Sequence, residues 1–389
     1  MTNKKLIESH ILNYRLITTN EDLHHICELA VLCKAVALDT EFVRTKTYYA
    51  ELGLIQLYDG HRLSLIDPFL ITEWAPFYCL LKNKKIVKFL HSAGEDIEIF
   101  FHFFKTLPEP LIDSQILAAF TGRPVSCGFS ILVKEFQGIV LNKAESRTDW
   151  LARPLSQKQC DYAAEDVLYL LPLANALMKK IETSGWMEAV KEECELLSQR
   201  RSQIQDPEMA YRDIGNASQL NPGQLICLKK LASWRLVYAR EKNIAINFVI
   251  QESYLWKVAR YQPTSLSELF HLGLDRRTIR QHGLTLLRLV TESQKTKEDP
   301  SLVIAYLNHK PVYKKIFKEI KDLIQSIGAL IGLSHELIGS RKHINQLLNW
   351  HFGLTPREKM PLLLTGWRAR ALSLELTKIL ERNPVIFEG

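Results

Sequence analysis

The spacing of apolar and polar positions changes several times along the chain, and each change marks an element. From Asn20-Glu21-Asp22-Leu23 onward, Ile26, Leu29, Ala30 and Cys33 recur at helical intervals, which predicts a short amphipathic helix over residues 20–34. Val36-Ala37-Leu38-Asp39-Thr40-Glu41-Phe42 reads instead as a buried strand. Side chains alternate across a strand, so Leu38, Thr40 and Phe42 share one face while Asp39 and Glu41 sit together on the other. The apolar runs Leu52–Tyr58 and Leu63–Pro68 flank Asp59-Gly60, a hairpin signal, so a three-stranded meander is expected with both acids on its first strand. A helix around Trp74 to Leu81 and a fourth strand, Lys85 to Leu90, should follow. Ser92-Ala93-Gly94-Glu95 has the form of a capping box opening a helix that buries Ile97, Phe100, Phe101 and Phe104 and leaves Asp96 in its first turns on the cleft side.

Leu111 to Phe120 reads as a short strand or turn running into a helix, with Asp113 as a cap or supporting group, and 128–136 is helix-like. Arg147-Thr148-Asp149-Trp150 and Arg153-Pro154 suggest a polar, basic loop. Ser156 should cap a helix that buries Ala163, Val167, Leu170 and Leu171. Tyr162 and Asp166 are four apart on one face of it, bordering the buried stripe; Asp161 and Glu165 form a second pair, rotated by about 100° and expected to face water. A charged helical stretch from Ile181 to Gln203 leads to a boundary at Asp206-Pro207. Beyond it the pattern is all helical, with a faint repeat that lays Glu252–Arg260 on Ser334–Lys342 and Leu272-Gly273-Leu274 on Phe352-Gly353-Leu354; two bundles, about 213–293 and 300–380, fit it.

The 389 residues leave room for two or three domains with full cores. Met1 to Tyr14 lacks the apolar centre of a signal peptide and no apolar run approaches the roughly 18 residues of a membrane span, so a cytoplasmic protein with no membrane partner is expected. The seven cysteines are scattered and never in C-x-x-C spacing, which argues against a disulfide framework or a cysteine zinc site and makes them expected core residues. The net charge of +7 is unevenly spread: residues 1–206 hold 23 Lys+Arg and 27 Asp+Glu, a net of −4, whereas residues 207–389 hold 27 and 16, a net of +11. An acidic half joined to a basic one suits a nucleic-acid enzyme, in which one part grips phosphate and the other carries metal-binding carboxylates. The plainer alternative is a soluble basic helical domain.

Two carboxylates side by side need a cation, because charges about 4 Å apart repel by about 4 kcal/mol at an effective dielectric of about 20. Lys, Arg or a metal would serve. Asp39, Glu41, Asp96 and Asp166, with Tyr162, can converge at the edge of one mixed sheet. Oxygen ligands without His or Cys select Mg²⁺ or Mn²⁺ over zinc, and two such ions about 3.5–4 Å apart can clamp a scissile phosphate. A helicase would need a G-x-x-x-x-G-K-[ST] phosphate loop; the chain has none, so a nucleoside triphosphate is not an expected partner.

The order of elements, D-x-E on a strand, an Asp early in a helix and Y-x-x-x-D late, resembles the DEDDy exonucleases of the RNase H-like fold. Asp39-Thr40-Glu41-Phe42-Val43-Arg44-Thr45, Leu52-Gly53-Leu54-Ile55-Gln56-Leu57, Lys88-Phe89-Leu90-His91, Glu95-Asp96, Ser146 to Leu155 and Tyr162-Ala163-Ala164-Glu165-Asp166 resemble more closely the bacterial ribonuclease D family. The resemblance covers nearly the whole chain. It implies an α/β RNase H-like exonuclease domain over 1–206, a mixed sheet with flanking helices, followed by two all-α HRDC domains, 207–294 and a more divergent 295–389. It further implies 3′-to-5′ removal of 5′-mononucleotides from RNA, with tRNA precursors and small structured RNAs as substrates. In that scheme Asp39 bridges two divalent ions, Glu41 and Asp166 complete the water-activating site, Asp96 serves the other ion partly through water, and Tyr162 orients the water. Thr40, Phe42 and His91 would contact the terminal nucleotide. A DNA exonuclease of the same fold is the nearest rival; a binding protein built on an inactive nuclease fold is disfavoured because all five groups are present.

Overall fold

In the computed structural model, which describes residues 12–142, 145–296 and 312–384, the expected meander is the middle of a larger sheet. Among the described residues six strands lie in the order β1-β4-β3-β2-β5-β6: β1 Tyr14–Ile17, β2 Ala35–Val43, β3 Glu51–Tyr58, β4 Leu63–Ile66, β5 Val87–Leu90 and β6 Leu111–Asp113. The meander β2-β3-β4 is antiparallel, while β1 joins β4, β5 joins β2 and β6 joins β5, all in parallel. Pattern reading passed over β1, since only Ile17 of its four residues is buried. Residues 1–11 and the start of the second bundle near 300 lie outside the described residues.

Helices cover the sheet: α1 Asn20–Ala30, α2 Ala75–Lys82, α3 Gly94–Phe104, α4 Ser114–Ala119, α5 Phe129–Gln137, α6 Gln157–Leu168, α7 Leu170–Ser184 and α8 Met187–Ser202. With both faces covered, Val36, Ala37 and Leu38 are all buried, as are Leu54, Ile55 and Leu57. Two helix expectations need correction. The stretch Ile181–Gln203 is two helices, because Gly185 at φ +78 ends α7 in a left-handed turn. Nor does Ser92 cap α3. Its φ is +56, and the carboxylate of Asp113 accepts from the backbone N–H of Ser92 (3.0 Å) and of Ala93 (2.9 Å) while also capping α4 through Gln115 N (2.8 Å). A carboxylate reaching across from the neighbouring strand thus replaces the local box.

What opens the cleft is the length of β5. It pairs with β2 only at Ala35, Val36 and Ala37, then ends at Leu90 and turns into α3, so β2 runs on past it from Leu38 to Val43 with that edge free of a strand. On the other side, the ladder between β2 and β3 shifts at Glu41/Phe42, leaving Gly53 out of register. A Cβ there would lie 2.5 Å from the Trp150 carbonyl oxygen, so only glycine lets the 147–155 loop approach. That loop is less solvated than expected. Trp150 is buried, and the Arg153 guanidinium donates to the Gly53 carbonyl (2.6 Å) and to both oxygens of Asp67 (2.6 and 2.9 Å). The cysteines also depart in part: five are buried, but Cys33 is half-buried and Cys79 exposed.

The helical half comprises α9 Pro222–Glu241, α10 Ile246–Val249, α11 Glu252–Tyr261, α12 Leu266–His271 and α13 Arg276–Gln294, then α14 Tyr313–Ile331, α15 His335–Ile338, α16 Arg341–His351 and α17 Gly366–Glu381. The first group has its own core, with Leu228, Leu231, Leu255, Val258 and Leu286 at its centre. The second shares the core of the sheet domain. Trp367 stacks edge-on against Phe120 (5.2 Å) and Trp186 (6.0 Å), and the buried Arg368 pairs with Glu193 of α8 while donating to the carbonyls of Leu337 and Ile338 (both 2.9 Å). The order of elements favours a different register from the expected one: laying α10–α11 on α15–α16 places Leu255, Val258 and Ala259 on Ile344, Leu347 and Leu348, all buried. Glu252–Arg260 is one helix, whereas Ser334–Lys342 spans a helix break at Gly339.

Candidate active site

Asp39 and Glu41 project from the overhanging part of β2 toward α6, whose Ser156–Gln159 capping box fixes its start. Asp166, three turns into that helix, meets them: carboxylate oxygens of Asp39, Glu41 and Asp166 lie within 4.8 Å of one another. Asp96 enters from the first turn of α3 and is 6% exposed. It accepts a short hydrogen bond from the hydroxyl of Thr40, which points to the opposite face of β2 from Asp39. All four acids, with Tyr162, line one cleft of about 640 Å³. Asp39, Tyr162 and Asp166 also line a smaller cavity of about 280 Å³ together with His91 and Phe129.

Burial and mutual repulsion dominate the electrostatics. Burial, then the charges of Asp96, Asp166 and Glu41, holds the Asp39 carboxyl well above the usual range. Glu41 is pushed up to about 9 by burial and by the charges of Asp166 and Asp96. Asp96 rises to about 6 through burial, which the Thr40 hydrogen bond only partly offsets. Burial and the neighbouring carboxylates raise Tyr162 above its ordinary value, so the phenol stays protonated across the physiological range. Such a set is costly without a cation. Its all-carboxylate donors fit a hard divalent ion and not zinc.

The remaining residues named from sequence fall into different places. Phe42 is half-buried on the wall of the cleft. Thr40 is buried, with its hydroxyl committed to Asp96. The His91 ring hydrogen-bonds Ser114 Oγ (2.8 Å) and faces the smaller cavity, not the cleft that holds Asp96. Glu165, expected in water with Asp161, borders that cavity too.

Several contributors were missed. Trp150 packs against the Tyr162 ring (6.1 Å) and so backs the phenol. Arg200 and Arg201, in the last turn of α8, line the cleft, and the Arg201 guanidinium covers Gly94, where a Cβ would be 2.9 Å from Nη2. Glu98 holds Arg201 (2.6 Å) on one side and Arg44 (2.7 Å) on the other. From there a groove of about 540 Å³ continues between the sheet domain and the first helical bundle, past Tyr48, Tyr49, Lys105 and Arg240. The two bodies are tied there by Ala245 N to Lys46 O (2.8 Å) and Tyr49 N to Asn243 Oδ1 (3.0 Å). A doubled arginine at 200–201 was the available signal, but nothing local links it to a strand about 160 residues earlier.

A mixed sheet whose central strand presents D-x-E to a covering Y-x-x-x-D helix, with a further Asp at the N-terminus of a second helix, is the arrangement of the DEDDy exonuclease class that the sequence resembles. Residues 14–182 match the family described as 3′-5′ exonuclease, residues 224–290 the HRDC domain, and residues 311–376 the ribonuclease D C-terminal HRDC domain. The ribonuclease D of Serratia proteamaculans (strain 568) is 54% identical over 376 residues, covering 95% of this chain and all of that one. The crystal structure of Escherichia coli RNase D, 51% identical, superposes with a TM-score of 0.93 over 96% of this chain and 100% of that chain. The catalytic core of RRP6 from Trypanosoma brucei, 23% identical with a TM-score of 0.59, shares the fold. The chain therefore belongs to the ribonuclease D family and is a 3′-5′ exoribonuclease. The exonuclease family uses divalent metals, and among the described residues no helix is long and apolar enough to cross a membrane.

Proposed function

We propose that this chain trims the single-stranded 3′ ends of tRNA precursors and other small structured RNAs in the cytoplasm, using two divalent ions, Mg²⁺ or Mn²⁺, held by Asp39, Glu41, Asp96 and Asp166. The observation that carries this reading is the packing of three of those carboxylates within 4.8 Å, desolvated and mutually repelling, beside the buried fourth. When bound, the ions supply charge neutralisation at the scissile phosphate and lower the pKa of water. The protein's own groups do the positioning. Asp39 would serve both ions, Glu41 and Asp166, whose carboxylates lie close to it, would complete the set that activates water, and Asp96, held by Thr40, would serve the other ion. Tyr162, kept neutral, orients the attacking water as a hydrogen-bond partner and not as a base. Phe42 and His91 flank the terminal nucleotide from the two cavities that meet at Asp39.

The groove beyond Arg201 favours a single strand as substrate, since it pairs cationic side chains with the stacked rings of Tyr49 and His102 (3.8 Å apart, 15° between planes). We assign 1–206 to the chemistry and 207–294 and 295–389 to RNA capture; the net +11 of the latter two supports this. The E. coli relative is described as an exoribonuclease involved in structured RNA processing. The test is parallel digestion of 5′-labelled RNA and DNA oligomers, and of a tRNA bearing a 3′ extension, with Mg²⁺ or Mn²⁺. Stepwise shortening of RNA with release of 5′-mononucleotides, abolished by Asp166→Asn, is expected. Equal rates on DNA, or no trimming of the tRNA extension, would refute the substrate assignment.

A further inference from the structure

Gln56 is fully buried in the middle of the sheet, and neither its amide nitrogen nor its amide oxygen has a hydrogen-bond partner among the described residues. Such an amide costs about 1–3 kcal/mol for each group left unmade, which a packed strand does not carry without some return. The return lies across the ladder. Gln56 on β3 is directly opposite Asp39 on β2, ahead of the register shift at Glu41/Phe42, so the two side chains share a face. Directly opposed side chains have Cβ atoms about 4.5–5.5 Å apart, a span that the extended arm of a glutamine bridges. Asp39, for its part, is surrounded by three carboxylates, with a backbone hydrogen bond from Thr40 as a stabilising contact. Gln56 cannot read RNA, since no part of it reaches solvent.

We infer that Gln56 is a positioning residue for Asp39: its amide N–H donates to the Asp39 carboxylate when that carboxylate holds a divalent ion, fixing which oxygen faces the ion. The inference rests on the proposal that Asp39 is a metal ligand. The Gln56 N–H would gain its partner as the Asp39 side chain takes up its liganding rotamer. Donors of this kind behind a ligand change metal affinity by about 10–100-fold when removed.

The experiment uses the full chain and Mn²⁺ as probe. Gln56→Leu, Gln56→Met and Asp39→Asn are compared with wild type by calorimetric Mn²⁺ titration and by melting in EDTA and in rising Mn²⁺. Gln56→Leu should melt at or above wild type in EDTA, because the orphaned amide is gone, yet bind Mn²⁺ at least tenfold more weakly and gain less from it; Asp39→Asn should lose the response. A Mn²⁺ midpoint for Gln56→Leu within twofold of wild type, with Asp39→Asn still unresponsive, would overturn the role of Gln56 alone. A wild type that Mn²⁺ does not stabilise would bring down the metal reading as well. If Leu does not fold, the unbranched Met variant is read by the same criteria; failure of both to fold would make the amide a determinant of folding and overturn the inference.

Discussion

Removing one carboxylate from the metal-free cluster should make the protein more stable, and the gain should depend on pH. Glu41 titrates near 9 in the folded chain against an ordinary 4.5. An acid whose folded pKa is raised binds more protons in the native state than in the unfolded one between those values, so unfolding free energy falls as pH rises through that window. By pH 8 the displacement from 4.5 amounts to at most about 5 kcal/mol, at about 1.4 kcal/mol per unit. Asp39 and Asp96 act in the same direction, the latter below about pH 6. Spread over 389 residues melting as one unit, with about 2 cal/mol/K of unfolding entropy each, 5 kcal/mol corresponds to about 6 °C. In EDTA, wild type should therefore melt progressively lower from pH 5 to pH 9. Asp39→Asn removes a charge that faces Glu41, Asp96 and Asp166, so it should recover several degrees at pH 8 and much less at pH 5. Mn²⁺ at about 100 times its Kd adds about 2.7 kcal/mol to wild type by mass action, about 3 °C on the same scale, and should narrow the gap between the two proteins. Differential scanning calorimetry over this pH range in EDTA and in Mn²⁺ is the assay. Coincident melting of the two proteins at pH 8 in EDTA would show that the four carboxylates do not repel one another as their burial requires.

Tyr162→Phe should keep Mn²⁺ affinity and lose roughly tenfold in kcat, about 1.4 kcal/mol, with a ratio to wild type that stays flat from pH 6 to 9 because the phenol does not ionise there; an unchanged kcat would refute its role. Arg201→Gln should raise KM on long RNA more than it lowers kcat and reduce the salt slope of binding by about 0.7, whereas a dinucleotide should show no change in salt slope. Trp367→Ala should cost about 3–5 kcal/mol and lower the melting of the catalytic half, not only of the C-terminal bundle, since the ring fills the space between Phe120 and Trp186; limited proteolysis that releases an intact 1–206 fragment with unaltered stability would contradict the shared core.

The sequence alone was enough to find every acid of the cluster and the elements that carry them. Period-2 alternation put Asp39 and Glu41 on one face of a strand, a four-residue interval put Tyr162 beside Asp166, and Ser156 marked the start of their helix; these are local properties, governed by backbone geometry within a few residues. Local reading failed where a distant group outcompeted a near one. Asp113 took the backbone donors that the Ser92 box was expected to satisfy, and Trp150, in a stretch that looks like a polar loop, became the backing of Tyr162 because Gly53 leaves no Cβ in its way. The charge step near Asp206 does mark where the basic half begins, yet it does not divide the core: the second bundle buries Trp367 and Arg368 against α8, and only folding reveals which apolar stripe covers which. The tertiary structure alone also set the short overlap of β5 with β2 that opens the cleft, brought Arg200 and Arg201 to its rim, and left the Gln56 amide orphaned opposite Asp39. Each of these depends on strand register or on contacts between residues far apart in the chain, and no pattern of neighbouring side chains carries that information.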